Sequence, residues 1–450
     1  MQTNYSPFWI LVVLAVLAIV AYLPVLSQPF ISDDYPNIRL ARSYGAFSGW
    51  VTMFSDPVFR VRASSWILTY WIEHLFGLSP PAFYAVSILL HVLNTWLVYA
   101  LGAWRIIGWR VSALAAGFFA VYEGHAEAVM WYSASNELLL FFFGALCLVG
   151  WIVFIQGPGL RLRWYAGSVA CFIFALASKE SAVILVALLL LPLLGEPDKR
   201  RRFVWMAPFL VMAAIYTWFI LETREYSFRF HDGSFSLRAP VWMTWPNSLW
   251  RLFWIWGLAS LSAIVALRGH KWRRLVTFGL AWVGISPLPY CFLTYQTHVP
   301  SRQIYLASAG LAWIMAAGFL TFRERFLNSR PRLVYAVAAL VVLHNCGYIW
   351  TKKRAQFLTR AAPTKALIEL AWKVEGPIHI RCAPAVGWKG CDYFPYSPLV
   401  AEAAVEMETT KSASILVWGA EPKQAATEFC WESPPRKPNP IWDGLIKKPQ

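Results

Sequence analysis

The chain alternates long apolar runs with short polar segments. Runs of spanning or near-spanning length fall at about 8–26, 82–103, 111–122, 137–155, 164–177, 181–195, 203–221, 247–267, 275–293, 303–320 and 332–350. A helix crosses the hydrocarbon core of a bilayer with about 20 apolar residues. The pattern therefore predicts an all-α polytopic membrane protein with about eleven transmembrane helices, of which 111–122 and 164–177 are the shortest. The first run lacks the basic stretch and small-residue cleavage site of a secretory signal, which predicts a retained span.

The polar segments alternate in charge. One set holds Arg105 and Arg110, Arg161 and Arg163, Lys199 to Arg202, Arg268 to Arg274, and Arg323 to Arg332. The other set is poor in cations: none in 123–136, Lys179 alone in 178–181, Arg302 alone in 295–302. Basic loops stay cytoplasmic, so the N-terminus is expected inside, and the loop after the first span and the tail after Trp350 outside. A bacterial inner membrane is the expected location. The formal charge of +16 fits these loops and anionic headgroups better than nucleic acid, with 58% of residues hydrophobic and only 14% charged. Trp is abundant, at 26 residues, as in interfacial belts.

Residues 27–80 form a long external loop. An amphipathic helix is predicted at 37–47, lying at the interface, and 64–78 reads as a second interfacial or re-entrant helix. The polar, aromatic segment 223–246 has the length of a lid. The chain divides into a membrane domain, 1–350, and a small external α/β domain, 351–450, with strand-like "GPIHIRCA" and "ASILVWGA" and a helical pattern at 363–374. An oxidising compartment makes a Cys382–Cys391 disulfide the first expectation.

Four polar clusters fall on the predicted outer side. They are Asp33 and Asp34; "EGHAEAVMWYSASNELL" at 123–139; "SKES" at 178–181; and "HVPSRQIYLASAG" at 298–310. With "FRVRASSWILTYWIEHLFGL" they come in an order that resembles the C-superfamily of integral-membrane glycosyltransferases. The likeness runs over residues 1–350 and is strongest to protein O-mannosyltransferases and their bacterial relatives. It implies a polyprenyl-phosphate sugar donor, with mannose as the suggested sugar. It also implies inverting transfer at the outer face, an acidic residue of the first external loop as base, and His125 with Glu127 as the matching histidine-and-acid loop. The tail is too short for the tetratricopeptide repeats that some relatives carry. The acceptor, whether protein, lipid or glycan, is therefore left unnamed.

Physical chemistry asks for the same parts. A base must take the proton of the attacking hydroxyl, and a carboxylate does so when burial or a like-charged neighbour lifts its pKa. Asp34 or Asp33 fills that role, with Asp34 slightly preferred. The leaving lipid phosphate needs fixed positive charge, for which Lys179, Arg302, Arg60 and Arg62 are the candidates. Glu127 and His125 would shape the site. Asp33 and Asp34 could instead hold Mg²⁺ or Mn²⁺, or simply begin a helix at the favourable end of its dipole. His91 and Asn94, within the second span, are expected to bond between helices. A lipid-carrier flippase or transporter and a non-catalytic lipid-binding assembly protein are the competing functions. Transporters place charges near the bilayer midplane, whereas these lie at span ends.

Overall fold

The computed structural model describes residues 7–52, 55–56, 60–157, 161–194, 202–222, 236–293, 299–382, 398–418 and 426–431. Each of the eleven predicted apolar runs carries a helix, so the chain is an all-α multi-pass bundle with a small C-terminal α/β unit. The helices are α1 (Pro7–Tyr22), α2 (Asp34–Tyr44), α3 (Ala63–Phe76), α4 (Pro80–Ala100), α5 (Gly108–Val121), α6 (Ala126–Met130), α7 (Ser135–Gln156) and α8 (Leu162–Leu176). There follow α9 (Leu185–Leu194), α10 (Ala207–Glu222), α11 (Val241–Ala266), α12 (Arg273–Ile285), α13 (Ser308–Phe326), α14 (Pro331–Tyr348), α15 (Arg354–Lys373) and α16 (Pro398–Thr409). Among the described residues seven segments are long and apolar enough to cross a membrane, and α5, α8 and α9 with its leading turn are shorter. The helix predicted from 247 begins six residues earlier at Val241, so 241–246 is not loop. Of the predicted lid, 223–235 lies outside the described residues.

Two contiguous units emerge, Met1–Thr359 and Arg360–Gln450, and the division falls within α15. In the first unit α13 is central and packs against α5, α11 and α12. Small residues allow it: a Cβ on Gly310 would meet the Gly279 carbonyl of α12 at 2.8 Å, and one on Gly318 would meet Ser260 of α11 at 2.7 Å. Such stripes let backbones approach closely where lipid gives no hydrophobic drive between helices. His91 of α4 ties the same core, with Nδ1 2.7 Å from the Tyr305 hydroxyl and Nε2 3.0 Å from the Ala120 carbonyl. Asn94 donates to the Leu138 carbonyl at 3.0 Å. Both polar residues of the second span thus bond between helices. Helix α11 breaks at Trp254, a non-glycine residue at φ 36°.

In the first external loop α2 and α3 pack on each other and on a short helical turn at Ser48–Thr52. Gly45 and Gly77 end them at φ 70° and 64°, a backbone region glycine enters without penalty. Arg42 pairs with Glu73 across the two helices at 2.6 Å.

The second unit is a three-stranded parallel sheet, β1 (Ile378–Cys382), β2 (Leu416–Trp418) and β3 (Thr427–Cys430), in the order β2-β1-β3. Ile378 pairs with Leu416 on one side and Thr427 on the other. Its core joins Leu367 and Ala371 of α15, Ala401 and Val405 of α16, and Ile378, Ile380, Leu416 and Phe429 of the sheet. Cys430 is disulfide-bonded. Cys391, which the expected bridge to Cys382 requires, lies outside the described residues.

Candidate active site

The four polar clusters meet at one end of the first unit. Asp34 opens α2, and its side chain is turned back from the helix and buried. Its Oδ2 accepts from the Ile31 amide at 2.9 Å. Its Oδ1 accepts from both the amide and the hydroxyl of Ser133, at 2.8 and 2.7 Å. Three neutral donors thus hold a carboxylate with no cation among them. Burial pushes its pKa up to about 6, against the opposing pull of Ser133 and Ile31 and with a smaller push from Asp33. Asp33, one residue earlier, is half-buried. Ser32 before it is buried at φ 49°, which costs a non-glycine residue about 1–3 kcal/mol. Strain of that kind, held by surrounding structure, gathers at functional sites.

The turn that supplies Ser133 also supplies Trp131. Its indole N–H donates to the Ile31 carbonyl at 3.2 Å, and the Arg302 guanidinium lies over its ring at 4.8 Å. Arg302 forms an ion pair with Glu127, whose Oε2 also accepts from the Ser301 hydroxyl at 2.9 Å and the Arg302 amide at 3.2 Å. One run of contacts therefore joins the first loop to the 123–139 turn and to the 301–304 turn.

A second run joins the remaining cluster. Lys179 Nζ lies 2.5 Å from Glu137 Oε1 at the start of α7, and the Tyr290 hydroxyl donates to Glu137 Oε2 at 2.9 Å. Both ions are buried, with side chains 6% and 3% exposed. Burial lowers the Lys179 pKa to about 8, against the pull of Glu137. Arg62 pairs with Glu180 at 3.2 Å, and that carboxylate raises the Arg62 pKa. The Ser64 amide donates to the Ala177 carbonyl at 3.1 Å, which fastens α3 to the 177–180 turn.

No family model and no curated protein matches the chain, whereas solved structures do. The archaeal oligosaccharyltransferase AglB from Archaeoglobus fulgidus, in complex with an inhibitory peptide and a dolichol-phosphate, superposes with a TM-score of 0.56 at 12% identity, over 90% of this chain and 64% of AglB. The likeness shows a shared fold. The same archaeal enzyme tethered to an acceptor peptide through a disulfide gives a TM-score of 0.50 at 12% identity, over 89% of this chain and 63% of that one. ArnT from Cupriavidus metallidurans bound to undecaprenyl phosphate gives 0.49 at 13% identity, over 94% of this chain and 90% of that one. The chain spans about two thirds of the AglB length, at 64%.

On this fold the predicted site residues do not all fall in the places that the sequence suggests. Asp33, Asp34, Glu127 and Arg302 come together through Ser133 and Trp131. Lys179 is not open to a headgroup: its ammonium is spent on Glu137. His125 is a core residue, fully buried, with Nε2 2.6 Å from the Ser308 hydroxyl and its ring packed on Phe119 and Tyr305. Burial holds its imidazole well below its ordinary pKa and therefore neutral. Arg62 is engaged by Glu180, and Arg60 lies over the Phe219 ring at 4.7 Å. Among the described residues no three His, Cys, Asp or Glu side chains gather as a metal site. Asp34 already accepts three hydrogen bonds, so a divalent ion on it would have to displace a Ser133 or Ile31 donor.

Sequence reasoning missed Ser133, Glu137 and Tyr290. Glu137 carried a signal, since a carboxylate leading the apolar run "LLLFFFGALCLVGW" needs a buried partner. Ser133 carried none, being an ordinary residue of an interfacial turn.

Proposed function

We propose that the protein is a glycosyltransferase that moves a hexose from a polyprenyl-phosphate carrier to a hydroxyl acceptor, at the outer face of a bacterial inner membrane. The carrying observation is the continuous set of contacts from Asp34 through Ser133 and Trp131 to Arg302, on a fold shared with an oligosaccharyltransferase solved in complex with a dolichol-phosphate. It brings an acid pair and a guanidinium to one place, as transfer from a lipid phosphate requires.

Within the pair, exposure divides the work. Asp34 is sealed and spends both oxygens on Ser133 and Ile31, so it positions the start of α2. Asp33 is half-buried and can meet a substrate, so Asp33 is the base, reversing the preference drawn from sequence. The acceptor oxygen attacks the anomeric carbon while its proton passes to the Asp33 carboxylate. The new carbon–oxygen bond forms as the bond to the phosphate oxygen breaks, and the electron pair leaves with the polyprenyl phosphate. One displacement inverts the anomeric centre. Arg302, flattened on Trp131, offers the planar fork that suits a phosphate. Lys179 and Arg62 act through the ion pairs that brace the surrounding turns.

The test is donor turnover in proteoliposomes supplied with polyprenyl-phosphate mannose or glucose and membrane extract as acceptor. Asp33→Asn should release polyprenyl phosphate about 10²–10⁴-fold more slowly than wild type, the span of general base catalysis, with an unchanged unfolding temperature. Wild-type turnover by Asp33→Asn would refute the assignment.

A further inference from the structure

A groove of about 990 Å³ lies between α1, α5, α11, α13 and α14, apart from the site described above. Its lining is apolar, including Val13, Leu17, Gly117, Phe319, Phe322 and Val341. Its few polar groups are turned away: the Ser260 hydroxyl donates to Met315 Sδ at 2.9 Å, and the Trp256 indole N–H to His344 Nδ1 at 3.3 Å. Only hydrocarbon suits such a lining.

The position of the groove along the helices says whose hydrocarbon it is. Asp34 and Ser133 mark the end where α11 and α13 begin. The lining residues of α11, from Trp256 to Ala263, fall in its second half, and those of α13 run on to Phe322, near its last turn. The groove thus deepens toward the opposite leaflet. Arginines follow the lining stretches along the chain toward that end. Arg325 lies three residues beyond Phe322 on the same helical stripe, Arg330 and Arg332 flank the start of α14, and Arg268 follows α11. Arg325, Arg330 and Arg332 are exposed. Basic residues at the rim of an interhelical groove bind anionic headgroups.

We infer that this groove holds an anionic phospholipid of the leaflet opposite Asp34, its acyl chain between α1, α5, α13 and α14 and its phosphate on Arg325 and Arg330. The occupant is distinct from the sugar donor, whose headgroup belongs at the other end of the bundle.

Gly117 gives a clean probe. A Cβ built there meets no atom within 4 Å, so Gly117→Leu starts its side chain in open groove space. The experiment is native mass spectrometry of the full chain, released from detergent with phosphatidylglycerol and phosphatidylcholine present in equal amounts. Wild type should retain one phosphatidylglycerol in preference to phosphatidylcholine. That preference should fall about fivefold for each charge removed in Arg325→Gln and Arg330→Gln, while Gly117→Leu should retain neither lipid. Equal retention of the two lipids, or a lipid that persists in Gly117→Leu, would overturn the inference. So would one-for-one displacement of phosphatidylglycerol by added polyprenyl phosphate, which would give the groove to the donor. None of these readouts depends on sugar transfer, so the outcome stands apart from that of the transfer assay.

Discussion

Asp34 and Glu137 are both buried carboxylates at the same end of the bundle, yet they are held in opposite ways. Glu137 faces a cation, Lys179, at 2.5 Å and a tyrosine hydroxyl at 2.9 Å. Asp34 faces three neutral donors. An uncompensated buried charge is costly, and stability alone would not favour it, since an apolar or amide side chain could fill the space. Glu137 with Lys179 is what a helix bundle does to close a polar gap. Asp34 has no cation to offset its burial, and its three donors instead fix the start of α2 next to Asp33. Glu180 with Arg62 belongs to the first kind.

The comparison can be broken most forcefully at Lys179. Lys179→Met leaves Glu137 buried and alone, and should destabilise the protein by about 3–5 kcal/mol. Adding Glu137→Leu should recover most of that loss, because an apolar pair can replace a buried ion pair at little cost. Unfolding temperatures in detergent read both; a double variant no more stable than the single would deny that the pair is a structural brace.

The next effect is a pH dependence at Asp34. Its pKa in the folded protein is raised from 3.8 to about 6. A raised pKa means that the protonated form is favoured by folding. That contribution is fully present below about pH 4 and is lost as pH rises through 6, up to about 3 kcal/mol for a two-unit shift. Wild type should therefore lose stability relative to Asp34→Asn between pH 4 and 7. A difference that does not change with pH over that window would mean that the carboxylate is not desolvated.

A smaller effect sharpens the same point. Ser133→Ala removes one of the donors that favour the ionised form. It should cost about 1 kcal/mol at pH 8 and carry the pH-dependent window above 6. If the window stays in place, the Ser133 hydroxyl does not hold Asp34.

How much of this could be read from sequence follows from the range of each interaction. The apolar runs and alternating basic loops are local patterns, and a helix lies in each of the eleven runs, because a bilayer forces every spanning backbone into helix. The sidedness of those loops also brought four polar clusters to one end before any contact was known. The pairings themselves are not local. Lys179 reads as an exposed cation until Glu137, 42 residues away, is found against it. His125 and Glu127 look like a pair at i, i+2, but a tight turn sends the imidazole into the aromatic core and the carboxylate to Arg302. The order of preference between Asp33 and Asp34 turned on burial alone, which adjacent identical residues cannot reveal. The third strand, Thr427–Cys430, was also missed: at four residues it is too short to carry a period.

The most direct test of the account is a structure of the protein in lipid nanodiscs with a non-transferable polyprenyl phosphonate sugar. The account predicts phosphonate density on Arg302 beside Trp131, with the anomeric carbon facing Asp33 and Asp34 still bonded to Ser133. Phosphonate density at Lys179 with the Glu137 pair opened, or a sugar that no first-loop aspartate can reach, would contradict it.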